Sequence, residues 1–188
     1  VDIPPELWAR LERLRSAAVL AQSVGDIFLD RLFPGEPVWL ACDLLVAGIE
    51  SPAVIELACE SPTLLTMREG EPLVRRLLSD LAVAPMDIRR AGWIAARDLA
   101  REIEAGTLDA EHGAHLLLGL QHACHSPEEM NELLPTLDDW ERTPPPNRNP
   151  TRFNTTIQNI ARAIIQAAPA NVHQRNAAGG GISSPIFP

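Results

Sequence analysis

A chain of 188 residues, 46% hydrophobic and 22% charged, can bury a full single-domain core and is too apolar for global disorder. Its net charge of −9 opposes binding to another polyanion, which excludes nucleic acid as a partner of the whole molecule. The charge is unevenly placed: residues 1–142 hold all 25 acidic side chains, whereas residues 143–188 hold none and carry Arg148, Arg152, Arg162 and Arg175.

Lysine is absent, so the fixed side-chain cations are all guanidinium groups, as GC-biased coding produces. Cys42, Cys59 and Cys124 are odd in number and widely spaced, the pattern of reduced thiols rather than a disulfide framework. Val1-Asp2-Ile3-Pro4 is not the start of a secretory signal, and no uncharged run approaches the ~18–20 residues that span a bilayer. These features predict a cytoplasmic protein with no membrane partner.

Leu7, Leu11, Leu14, Ala18 and Ala21 recur at steps of three and four and continue past Gly25 to Phe28 and Leu32. That stripe predicts a long amphipathic helix, entered through Pro4-Pro5, loosened or broken at Gly25 and closed by Pro34-Gly35. Trp39, Leu40, Leu44 and Leu45 predict a short helix ending at Gly48. Ser51-Pro52, Ser61-Pro62 and Ser126-Pro127 each read as a helix start, because the hydroxyl can accept an orphan amide and Pro fits the first turn. Helices are accordingly expected over 51–60 and 127–140, the latter with Glu129 in a capping box, and Leu73, Leu77, Leu78 and Leu81 predict another over 71–81.

Pro85 opens a clearer helix with Ile88, Ala91, Ala95, Leu99 and Ile103 inward, stopped by Gly106. Thr107 or Asp109 then caps a helix over about 110–125, so the two form an αα-hairpin. No window shows the period-two alternation of a strand. After the Pro- and Asn-rich linker 143–149, Asn149-Pro150 starts a helix over 150–169 whose Phe153, Ile157, Ile160, Ala161 and Ile164 share a face. Residues 170–188 have the composition of a tail. The fold class is therefore all-α: an acidic helical bundle over 1–142 with αα-hairpins, then a linker, a basic amphipathic helix and an extended tail.

The segments Leu40–Ala58 and Ala100–Ala110 resemble small uncharacterised helical proteins of GC-rich bacteria. The shared motifs are helix punctuation, so the resemblance implies a fold style and no activity.

His112, His115, His122, Cys124 and His125 are the densest set of metal-ligand types. At about 100° per residue the histidines fall on the wetter face of their helix, while Cys124 joins Leu116, Leu117 and Leu120 in the buried stripe. His115 and His122 lie about 10.5 Å apart along the axis and cannot share one zinc ion. His112 with His115 are the remaining metal candidates and need a third ligand from elsewhere. Glu128, Glu129, Glu132, Asp138, Asp139 and Glu141 read as a solvated face, and Arg75-Arg76 and Arg89-Arg90 as pairs neutralised by acids of their own helices. There is no P-loop, dinucleotide fingerprint, nucleophile elbow or Cys-x-x-Cys pair. No cofactor is expected, and an enzyme is the weaker reading.

The acid-free end offers more. The face formed by Phe153, Ile157, Ile160 and Ile164 suits docking on the acidic body or, in the helix-in-groove manner, on a partner protein or another copy. Ile186 and Phe187, after the Gly179–Gly181 triplet and beside two prolines, suit a short recognition peptide. The sequence thus predicts a non-catalytic protein-interaction module that uses its C-terminal arm. One alternative is a precursor of a ribosomally made modified peptide, with Ser183 and Ser184 modified; another is a metal-dependent enzyme using His112 and His115.

Overall fold

The computed structural model describes residues 3–167. Among these the architecture is all-α, with nine α-helices and no strand. They are α1 (Pro5–Ala21), α2 (Ile27–Asp30), α3 (Gly35–Val46), α4 (Pro52–Ala58), α5 (Met67–Asp80), α6 (Ile88–Ala105), α7 (Ala110–Leu120), α8 (Leu133–Arg142) and α9 (Pro150–Ala167).

The predicted first helix is divided. Gly25 adopts φ +117°, which an L side chain rarely tolerates, and the stripe resumes in α2 with Phe28 and Leu29 buried. Capping explains most other boundaries. Ser51 is extended, and its Oγ accepts from the Val54 amide at 3.2 Å, which starts α4 as expected. The next start differs from the prediction. Ser61-Pro62 opens only a turn, and α5 begins at Thr66, whose Oγ and backbone N–H form a reciprocal capping box with Glu69. The Thr66 hydroxyl and amide hold the Glu69 carboxyl below its ordinary range.

The helix expected over 127–140 also shortens. Ser126 sits at φ +50°, a short 3-10 turn covers Glu128–Met130, and α8 begins only at Leu133. Farther upstream, α6 is capped by Asp87, whose carboxylate accepts from the Arg90 amide at 2.9 Å, and it stops at Gly106 with φ +71°. Asp109 caps α7 through the His112 amide at 3.0 Å, which completes the predicted hairpin. α7 itself ends at Leu120, earlier than the periodicity implies, and turns continue to His125.

α6 is the spine. Its sequence gives it more than one buried side: Ala91, Gly92, Ile94, Ala96, Leu99, Ala100 and Ile103 are all buried. It packs against α1, α7 and α9, with α9 its most extensive neighbour. Small residues permit this crowding; a Cβ on Gly92 would meet Cys124 Sγ at 3.1 Å. Ser16 Oγ on α1 donates to the Ala91 carbonyl at 2.7 Å, and Arg90 reaches Glu12 at 2.6 Å. α3 and α4 pair as a second layer, and α5 lies against α4 and α1.

Among the described residues no helix is long and apolar enough to cross a membrane.

Candidate functional site

The structure puts the helix of the C-terminal arm inside the fold. Phe153, Ile157, Ile160 and Ile164, assigned from sequence to a partner, are all buried within this chain, in one core cluster with the residues of α1 and α6. The sequence reading left open whether that face docks on its own body or on another molecule; here α6, α7 and α8 cover it. Phe153 stacks on Trp140 of α8, ring centroids 4.4 Å apart, and the Arg148 guanidinium lies 4.9 Å from the Trp140 ring centre. Arg162 faces Glu104 of α6 at 3.3 Å, so the basic arm does meet the acidic body. Ile186 and Phe187, with Ser183 and Ser184, lie outside the described residues.

The metal candidates are separated by their surroundings. His112 and His115 are exposed on α7, and His115 Nε2 lies 3.4 Å from Glu141 Oε1, with both side chains about half accessible. Among the described residues no three His, Cys, Asp or Glu side chains converge as a metal site. Cys124 is buried, as its helical angle implied, and burial pushes its thiol up to about 12. Of the arginine pairs, only Arg75 bonds a carboxylate of its own helix, Glu71. Arg76 instead bridges to Glu56 on α4 at 2.8 Å and Arg90 bridges to Glu12 on α1, so both tie helices together.

The surface that sequence reasoning missed lies on α3, α4 and the start of α5. Six large hydrophobic side chains are exposed among the described residues, and four of them fall between Trp39 and Leu64. Trp39 and Val46 occupy the outer stripe of α3, and Val46 is 88% exposed. Cys42 lies between them and directs its Sγ to the Ala58 carbonyl of α4 at 3.8 Å, while Ile55 is exposed one turn earlier on α4. Beside this face a groove of about 620 Å³ runs between α4 and α5. Leu64, Leu65, Pro72 and Leu73 supply its apolar lining, with Leu64 77% exposed. Glu56, Glu60 and Glu69 make its edge acidic, and Arg76 offsets one of these charges through Glu56.

The signal was available: Trp39 and Val46 sit seven residues apart, on one side of a helix whose charged residues are Glu36 and Asp43 alone. With nearly the whole helix apolar, periodicity cannot say which face stays open.

No protein family, curated protein or solved structure matches the chain.

Proposed function

We propose that the chain is a non-catalytic protein-interaction module whose contact joins two copies: the acid-free C-terminal segment of one copy enters the α4–α5 groove of another. The observation that carries this reading is the groove itself, an apolar lining with exposed Leu64 inside an edge of three glutamates. Residues 168–188 complement it. They contain no acid, they bear Arg175, and they offer Ile182, Ile186 and Phe187 to an apolar surface. The prolines at 185 and 188 lower the entropy lost on ordering such a segment.

Reciprocal exchange of segments between two copies gives a closed dimer rather than an open fibre. Each large apolar side chain buried contributes roughly 1.5–3 kcal/mol before ordering costs. One such anchor therefore changes affinity by about tenfold or more.

Sedimentation velocity of the full chain, from micromolar to hundreds of micromolar, tests the proposal. Wild type is expected to dimerise, whereas Leu64→Glu and Phe187→Asp are each expected to stay monomeric. Mixing the two variants restores one intact groove and one intact segment, so the mixture regains a heterodimer. A wild type that stays monomeric throughout, or a dimer indifferent to both substitutions, refutes the contact. Association with a different protein through the same groove refutes self-recognition.

A further inference from the structure

The three cysteines are free thiols, and the fold sets one of them apart from the other two. Cys124 is buried beside Gly92 of α6. Cys42 is half-buried on α3, and Cys59 is exposed at the residue that follows α4. These two helices pack on one another, and the Cys42 thiol points to the Ala58 carbonyl at 3.8 Å, in the last turn of α4.

Ala58 immediately precedes Cys59 in the chain. Standard bond lengths put a carbonyl oxygen about 3 Å from the next Cα, so Cys42 Sγ stands no more than about 7 Å from Cys59 Cα. Closing a bond between the two sulfurs then takes rotation of both side chains and a small shift at Cys59. The surroundings of Cys59 permit that shift. Its side chain is in solvent rather than in the core, and the chain beyond it runs through turns until α5 begins at Met67.

We propose that Cys42 and Cys59 are a reversible dithiol pair, oxidised by exchange with a low-molecular-weight disulfide of the glutathione class. Cys59 is the entry point: its thiolate attacks one sulfur of oxidised glutathione and releases one glutathione thiolate. Cys42 then loses its proton to solvent and attacks the Cys59 sulfur, releasing the second glutathione. The chain gives up two electrons and two protons, and one glutathione disulfide becomes two glutathione thiols. The bond joins residues 16 apart in sequence and ties α3 to the end of α4. Both thiols belong to one chain, so the pair is independent of the contact proposed for the groove.

Thiol counting and peptide masses, on the full chain at low micromolar concentration, test the pairing. After incubation with oxidised glutathione and then denaturation, the three free thiols should fall to one, with Cys124 the one that remains. No basic residue lies between Arg31 and Arg68, so trypsin leaves both cysteines in the peptide 32–68, which should be lighter by two hydrogens. Further cleavage after Glu50 and Glu56 should leave the two cysteine-bearing fragments joined until reductant is added. Cys124→Ser should form the bond as wild type does, whereas Cys42→Ser should stop with one glutathione held on Cys59. A wild-type chain that keeps all three thiols, that stops at the glutathione adduct, or that links to a second chain through these cysteines would overturn the pairing.

Discussion

Truncating Ile157 to alanine tests whether the last helix belongs to the core. Ile157 is fully buried on α9, the most extensive neighbour of α6. The substitution removes three carbons, and at about 0.8 kcal/mol per buried methylene the transfer loss alone is about 2.4 kcal/mol. A cavity that collapses incompletely raises the loss toward about 4 kcal/mol. For a chain of this size each kcal/mol moves Tm by about 2–4 °C, so a decrease of about 5–15 °C is expected. In urea, with m near ~2 kcal/mol/M, the midpoint should fall by about 1–2 M. The whole transition should shift as one, because α9 shares its core cluster with α1 and α6. Circular dichroism and tryptophan fluorescence report it jointly, since Trp140 stacks beside Phe153 of the same helix. A midpoint within a degree of wild type refutes the reasoning. So does a curve in which α9 melts away while the main transition stays in place.

Gly113→Ala places a Cβ 2.6 Å from Ile103 Cγ1, a side chain itself buried and unable to yield outward. Overpacking of about 1–3 kcal/mol outweighs the helix propensity gained, so a net loss of about 1 kcal/mol is expected in denaturant titration, and a stabilised variant contradicts the packing. A thiol held at about 12 predicts that Cys124 resists maleimide in the native chain at neutral pH while exposed Cys59 reacts, and mass spectrometry of the labelled peptides reads both rates. Equal labelling of the two sites counts against that burial. Burial raises the Asp98 carboxyl above 3.8 despite Arg13 at 3.0 Å. Between its unfolded and folded values the folded chain thus binds more protons, and stability from this group falls as pH rises through that window. Asp98→Asn should flatten that part of the acid-range stability profile, and a carboxyl titrating below 3.8 by NMR reverses the sign.

Local punctuation was legible wherever one residue carries the whole signal. Gly106 and Asp109 mark the α6–α7 turn without help from the rest of the chain, and the five apolar positions of α9 were plain from their spacing. What covers that face was not legible. An amphipathic helix has the same sequence whether its cover comes from its own chain or from another molecule; here the answer lay in α6, whose Ala96 and Ala100 leave room on a second side.

The three Ser-Pro pairs show how identical chemistry diverges. Ser51 is extended with φ −148° and aims its hydroxyl at the helix, whereas Ser126, emerging from the turns after α7, is held at φ +50° and caps nothing. The Thr66–Glu69 box was readable by the same rule and was obscured by the Ser61-Pro62 pair just before it.

The spine arrangement also bears on how the molecule is made. Because α9 closes the last side of α6, a nascent chain that has emerged only as far as α8 still shows water an open apolar strip on α6, awaiting a segment not yet synthesised. Such half-built intermediates are prone to stick to one another. Polypeptides stalled or clipped between α8 and α9 are therefore expected to be substrates for chaperones and proteases.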